Sequence, residues 1–307
     1  MADNAERKKF YVCFDIGGTA IKYALADGTG SFADRGEIAT EAKLVKGSGI
    51  ARKVCSVLKN YLDSGYEVAG AAISTAGIVD YENGSIIYAF EHILPEYSGL
   101  QWKALIESEF DIPCAVENDV NCAALGELWL GAGRGKSSLF AVTVGTSIGG
   151  CAVTDGRVIH GAGMSAGEIA YMRVPGGTLG SLATTTQLIA DVAEIKGVSK
   201  DSIDGKKVFA WAKGGDADAV RCVKKLIEHL SDGIVNISAV LNPQCVVLGG
   251  GIMAQRDYLR PLLETAVREK IPREILDHME VVFAKLGNDA GMLGALYNLL
   301  QRSGALR

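Results

Sequence analysis

Proline and histidine are scarce in this chain of 307 residues, at 6 and 4, and aromatic side chains make up 7% of it. The histidines (His92, His160, His229 and His278) are scattered and offer no metal-ligand pair. The seven cysteines (Cys13, Cys55, Cys114, Cys122, Cys151, Cys222 and Cys245) are odd in number, lack a Cys-x-x-Cys, and sit mostly inside apolar runs. That excludes a disulfide framework and a zinc site, and leaves small core residues in a reducing compartment. No apolar stretch approaches the ~18 residues of a membrane span, and residues 1–9 are too polar for a signal peptide. Positive charge is not in surplus either: 31 Lys and Arg against 36 Asp and Glu give a net charge of −5, which argues against a nucleic-acid partner. These absences predict a soluble, cytoplasmic protein. Hydrophobic residues still make up 48% of the chain, enough for a sizeable core and against disorder, and the length predicts two domains.

Glycine is the residue in excess, at 38 against the roughly 7% of an ordinary chain. Much of it belongs to a repeated pattern. The apolar run Phe10–Ile16 leads into Gly17-Gly18-Thr19, a second strand over 20–26, and Asp27-Gly28. A similar run over 139–144 leads into Gly145-Thr146-Ser147-Ile148-Gly149-Gly150, a strand over 151–154, and Asp155-Gly156. Strand, Gly/Thr turn, strand and Asp-Gly turn thus occur twice, about half a chain apart, with turns differing by one residue. Helical spacing of apolar residues predicts helices over 49–62, 102–110, 120–130, 185–196, 220–241, 259–270 and 290–301; buried strands are predicted over 68–74, 112–117, 245–248 and 281–284. Strands alternating with helices behind opening hairpins predict an α/β protein of two similar lobes.

Several tempting motifs fail on context. Residues 145–149 and 163–167 both fit G-x-S-x-G, but the first runs from strand to strand and no His follows in triad order. Residues 131–137 resemble a P-loop, yet the required first glycine is Leu130 and the segment follows a helix. A helix stop explains it.

Four elements carry chemistry. In Asp15-Ile16-Gly17-Gly18-Thr19, glycines let backbone N–H groups approach phosphate oxygens and Thr19 adds a donor. Lys22 on the returning strand supplies positive charge, and Asp15 implies a bridging Mg²⁺ held through water; the plainer reading is an ordinary hairpin. Two such turns facing each other across a cleft would clamp one polyphosphate. Glu117-Asn118-Asp119 stands at a strand-to-helix transition. Asn118 and Asp119 either cap the helix or bind hydroxyls, with Asp119 accepting a proton; the helix N-terminus should make Asp119 a weak base. Glu168 follows a Gly-rich loop, where it either accepts hydrogen bonds from a polyol or is a solvated carboxylate. Gly249-Gly250-Gly251, after an apolar strand, either lies flat against a planar ligand such as adenine or is a close strand–helix turn.

Together these residues resemble the ROK family (repressors, open reading frames and kinases) of the sugar kinase, hexokinase and actin-like superfamily, over essentially the whole chain and in order. The matching runs are 15–19, Thr75-Ala76-Gly77-Ile78-Val79-Asp80, 117–127, 144–150, 166–169 and 249–251. The resemblance implies a duplicated ribonuclease-H-like (actin-like ATPase) α/β fold with two lobes around a central cleft. The small lobe is placed at 1–117 plus 295–307 and the large one at 118–294. It implies an ATP-dependent sugar kinase with Asp119 as catalytic base toward a sugar hydroxyl, usually the 6-hydroxyl. Gly77, Asn118, Glu168 and Tyr171 bind the sugar in this reading. Asp15 organises Mg²⁺, and Gly17, Gly18, Thr19, Lys22, Gly145, Thr146 and Gly249–Gly251 bind the nucleotide. Many members have His where this chain has Tyr171, followed by a zinc-binding cysteine cluster; residues 175–186 contain no Cys, so no zinc is expected. A further sugar-contacting glutamate of the family falls at Ala183, where a small residue would leave space for a substituent at C1, as in a β-glucoside, or at C2, as in N-acetylmannosamine. The family's repressors carry an N-terminal winged helix; a phosphate strand starting near Phe10 leaves no room for one and favours the kinases. A non-catalytic sugar sensor and an actin-like structural ATPase are the alternatives, and a homodimer is expected by resemblance.

Overall fold

Apolar residues at nearly every position of Phe10–Ile16 (β1) build a strand buried on both faces. It pairs antiparallel with β2 (Ala20–Asp27), which pairs with β3 (Phe32–Ala39). The computed structural model that shows this describes residues 8–306, so most of the polar opening stretch lies outside the described residues. β3 is a largely exposed edge strand bearing Asp34, Arg35 and Glu37. It has no apolar alternation, which is why sequence pattern does not reveal it. α1 (Ala42–Asp63) is interrupted by a non-helical Lys46 and leads to β4 (Val68–Thr75), parallel to β1. A short hairpin, β5 (Ile78–Asp80) and β6 (Ser85–Tyr88), and α2 (Trp102–Phe110) precede β7 (Cys114–Asn118), parallel to β4. α3 (Asp119–Trp129) follows directly.

The second half repeats the plan. β8 (Ser138–Val144), β9 (Ile148–Thr154) and the two-residue β10 (Arg157–Val158) are antiparallel. A two-stranded ladder, β11 (Arg173–Val174) and β12 (Gly177–Thr178), leads into α4 (Leu179–Leu182), α5 (Thr185–Lys196), α6 (Gly205–Lys213) and α7 (Ala217–Leu241). Thr184, Asp204 and Asp216 cap α5, α6 and α7 by accepting the backbone N–H of the third residue of each helix. β13 (Cys245–Gly249), α8 (Arg256–Arg268), α9 (Arg273–Leu276) and β14 (Glu280–Phe283) complete the set, with β13 and β14 parallel to β8. The strand orders are β3-β2-β1-β4-β7 and β10-β9-β8-β13-β14, the same order with the same directions. The duplication read from the hairpins therefore extends to both whole sheets. The one-residue offset is also present: Ile16 pairs with Ile21 across residues 17–20, and Val144 with Ile148 across 145–147. β9 starts at Ile148, earlier than expected, so Gly149 and Gly150 are strand residues.

The chain forms two compact units. One holds residues up to Trp129, Gly161–Ser165 and the stretch from Asn288 onward; the other holds Leu130–His160 and Ala166–Gly287. The last helix, α10 (Ala290–Arg302), belongs to the first unit, and so does all of α3. This division falls beyond residue 117 and before residue 295, the boundaries expected from sequence. The reason is packing on the first sheet. Alternate residues of β1 point to opposite faces: Val12, Phe14 and Ile16 join the core under α1 and α2, while Tyr11 and Cys13 join Cys122 of α3 and Met292, Leu296 and Leu299 of α10. No helix among the described residues is long and apolar enough to cross a membrane.

Candidate active site

Strand register places one polar row across the first sheet. Lys22 of β2 lies opposite Asp15 of β1, Asp15 beside Ser74 of β4, and Ser74 beside Glu117 of β7. Ser74 Oγ donates to Asp15 Oδ1 over 2.8 Å, and Lys22 Nζ stands 3.6 Å from Asp15 Oδ2. Gly291, in the first turn of α10, closes over the pair; a Cβ there would sit 2.8 Å from Asp15 Oδ1. The row lies at the carboxyl ends of the parallel strands, where open α/β sheets bind ligands. One carboxylate steadied by a hydroxyl suits a hard cation that keeps most of its water, so Asp15 fits Mg²⁺. Among the described residues no group of three or more His, Cys, Asp or Glu gathers into a metal cluster.

At the end of β7, Asn118 does what a capping residue does. Its Oδ1 accepts the N–H groups of Val120 (2.9 Å) and Asn121 (3.2 Å). Its Nδ2 donates to the carbonyl of Gly77 over 2.9 Å, which ties the loop after β4 to the start of α3. Gly77 has φ +113°, and a Cβ there would lie 2.6 Å from the Tyr88 carbonyl oxygen, so only glycine lets this loop lie against β6. The buried Glu117 carboxylate braces the junction, accepting the Asn121 amide N–H and the Asn118 backbone N–H, each at 2.8 Å.

Asp119 is the first residue of α3, and its Oδ1 accepts the Val120 N–H at 2.9 Å. Its carboxyl is pushed up to about 6, first by removal from water and then by the negative charge of Asp15; hydrogen bonds from the Val120 and Asp119 N–H groups and from the Asn118 side chain pull the other way and lose. The expectation that the helix N-terminus would leave a weak base is overturned. Partial burial beside a second carboxylate outweighs a dipole worth only ~0.3–1 kcal/mol at an exposed end.

The second unit assembles its own set. Gly145 N–H donates to Ser147 O at 2.8 Å in the turn between β8 and β9, and Gly145 O and Thr146 O accept from Thr185 N–H and Thr186 Oγ at 2.9 and 3.0 Å. Thr146 is exposed at the tip, as Thr19 is in the first turn. At the end of β13, Gly250 has φ +102° and lies directly against the Val144 carbonyl, an approach a side chain would block. That contact brings Gly251 to the turn. Gly145, Thr146, Gly251, Lys206, Phe209 and Gln255 line one cavity of about 310 Å³. No sequence pattern joins α6 or Gln255 to the glycine runs, because the bend at Gly250 creates the meeting. Glu168 and Tyr171 flank the short helical turn Ile169–Tyr171 in the same unit, both exposed, Tyr171 at 72%. Ala183 stands elsewhere. It is fully buried in the core with Leu179 and Leu188, so it opens no space for a sugar substituent, contrary to the expectation from its small size.

Ser74 and Gly291 were not legible as site residues. Only strand pairing reveals Ser74 beside Asp15, and only the return of α10 brings Gly291 to them.

The pattern that defines the ROK family matches residues 11–302. The chain belongs to the ROK family. A glucokinase of Halalkalibacterium halodurans is 30% identical to it over 97% of both chains. A β-glucoside kinase of Listeria monocytogenes is 31% identical over 94% of this chain and 96% of its own. A ROK glucokinase of Streptomyces griseus, crystallised with glucose and AMPPNP, superimposes with a TM-score of 0.74 at 26% identity, covering 94% of this chain and 98% of that one. The duplicated sheets of this ROK protein are those of the actin-like ATPase fold.

Proposed function

We propose that this ATP-dependent sugar kinase transfers the γ-phosphoryl group of ATP to the 6-hydroxyl of a hexose or glycoside, with glucose and β-glucosides as the favoured substrates. The observation that carries the reading is the place of Asp119, the first residue of α3 at the carboxyl edge of a sheet, where burial and the charge of Asp15 push its carboxyl up to about 6. A base with that affinity is ionised at neutral pH and still takes a proton. The sugar O6–H proton passes to Asp119 as O6 bonds to the γ-phosphorus and the bond from that phosphorus to the ADP oxygen breaks. Phosphoryl transfer asks the protein mainly for positioning and charge stabilisation.

In this reading Gly77, Asn118, Glu168 and Tyr171 hold the other hydroxyls. Thr19 and Thr146, with the N–H group of Gly18, hold phosphate oxygens, while Gly17 and Gly145 shape the two turns through their own N–H bonds to Ala20 O and Ser147 O, and Lys22 balances charge beside Asp15. Gly249–Gly251 and the cavity next to them take the adenosine. Asp15 would hold Mg²⁺ through water. When bound, the ion supplies charge neutralisation for the β- and γ-phosphates. The relatives named as glucokinase and β-glucoside kinase support the sugar class. The same kinase names weigh against a non-catalytic sensor.

The test is ADP release measured with a panel of glucose, mannose, N-acetylmannosamine and β-glucosides. Turnover with glucose or a β-glucoside above the rest is expected. ADP release independent of any sugar would overturn the reading.

A further inference from the structure

Four of the exposed large apolar side chains of the described residues fall within seven positions: Ile87 (50%), Tyr88 (47%), Phe90 (49%) and Ile93 (42%). Single exposed apolar residues need no explanation, but a contiguous set does. The rings of Tyr88 and Phe90 are 5.3 Å apart, edge to face, and those of Phe90 and His92 are 5.6 Å apart. They form a row of three rings.

The row is fixed from beneath. Ala89 and Leu94 are buried, and Ala89 N–H donates to Ser98 Oγ at 3.0 Å. The N–H groups of Ile93 and Leu94 both donate to the Phe90 carbonyl at 2.9 Å. The segment that carries the row touches site loops of the same unit at both ends, through Tyr88 and Ile93. Tyr88 pairs with Ile78 across the β5–β6 hairpin, and its carbonyl packs on Gly77, whose own carbonyl holds Asn118 next to Asp119. Ile93 Cγ2 lies 2.7 Å from where a Cβ on Gly18 would be, against the first phosphate turn. An apolar ledge so placed costs hydration free energy and gives the core nothing.

We propose that Tyr88, Phe90 and His92 form an aglycone subsite, on which the ring carried by the C1 oxygen of a β-glucoside lies while its glucosyl unit occupies the sugar site. This rests on the sugar-kinase reading and narrows the substrate from free hexoses to glycosides bearing a ring. Continuity with Gly77 points to a substrate and not to a second protein. Four half-exposed side chains also fall well short of the ~800 Å² per partner of a standard interface. A ring on C1 would gain aromatic contact that a methyl group cannot make.

The experiment compares kcat/KM for phenyl β-glucoside and methyl β-glucoside in the native protein and in Phe90→Ala, Phe90→Leu and Tyr88→Leu. The native ratio is expected to be about tenfold in favour of the phenyl compound, the size of one good aromatic contact. It should fall to near unity in Phe90→Ala and Phe90→Leu, and partway in Tyr88→Leu, with thermal melting confirming a folded protein. The leucine variants keep apolar volume and remove only the ring. A native ratio near unity, or a ratio unchanged by all three substitutions, overturns the subsite and leaves the kinase intact. An unchanged ratio with an altered sedimentation coefficient would assign the ledge to a second copy of the chain. Absence of turnover with any sugar would instead sink the kinase reading, and the subsite with it.

Discussion

The side-chain amide of Asn118 donates to the carbonyl of Gly77 over 2.9 Å while its oxygen caps α3. One residue thus joins the loop after β4 to the helix that begins with Asp119. Asn118→Ala should cost about 1–2 kcal/mol of stability through the lost cap and raise KM for sugar more than it lowers kcat. Asn118→Asp keeps the cap and loses the donor, so it should be nearly as stable as the native protein and still raise KM. Denaturant melts and sugar-saturation curves separate the two effects.

Asp119 must be ionised to accept a proton. Its carboxyl is raised to about 6, so kcat/KM should be level at neutral pH and fall tenfold per unit once the pH drops below about 6. An acid limb near the ordinary carboxylate range would show that the Asp119 carboxyl is not raised in the working enzyme. Asp119→Asn should reduce turnover by about 10²–10⁴ with sugar binding largely retained. Stopped-time ADP assays and a binding titration measure both.

Ser74 contributes the hydroxyl that steadies Asp15. Ser74→Ala should cost about 1 kcal/mol. It should also raise the Mg²⁺ concentration needed for half-maximal rate, since Asp15 loses its orienting partner. Titration of rate against Mg²⁺ at saturating ATP reads this directly, and an unchanged half-maximum would place Asp15 outside the metal's reach.

Behind the sugar-side loop, Tyr97 OH accepts the Trp102 indole N–H at 2.9 Å and meets Thr75 Oγ at 2.8 Å, all three side chains fully buried. Tyr97→Phe leaves both partners without that bond in the core and should destabilise the fold by about 1–3 kcal/mol. A melting temperature unchanged from the native protein would contradict this.

Asp27 anchors the first Asp-Gly turn. Burial alone would raise its carboxyl, but Lys8, the Thr29 side chain and N–H, and the Ser31 N–H overrule it and hold it at about 2. A group depressed on folding stabilises the native state above its unfolded value, near 4, and that contribution fades as the pH falls toward 2. Asp27→Asn should therefore be less stable than the native protein at pH 7, and the gap should narrow at pH 3. Urea melts at the two pH values give the comparison.

The hairpin repeat, the helix starts at Thr185 and, to within one residue, at Asp119, and the buried central strands were legible, because each rests on local alternation, turn chemistry and caps. β3 was not, since an edge strand carries charge where alternation would show. α6 was not read from the sequence either, although its buried Val208, Phe209 and Ala212 have the spacing of a helix face. The raised carboxyl of Asp119 was missed for a different reason. Local sequence reports the helix end beside it and not the loss of water or the charge of Asp15, 104 positions earlier in the chain.

What this sequence determined by itself was the alternation of elements, the paired glycine–threonine turns and the short list of polar residues fit for phosphoryl transfer. Their chemistry is local, written in side-chain type and spacing. Which of them meet was decided only in three dimensions. Parallel pairing set Ser74 beside Asp15, the return of α10 put Gly291 over both, and core packing took Ala183 out of reach of any ligand. Pairing register and burial depend on contacts between distant segments, and their free energies have no signature at any one position in the chain.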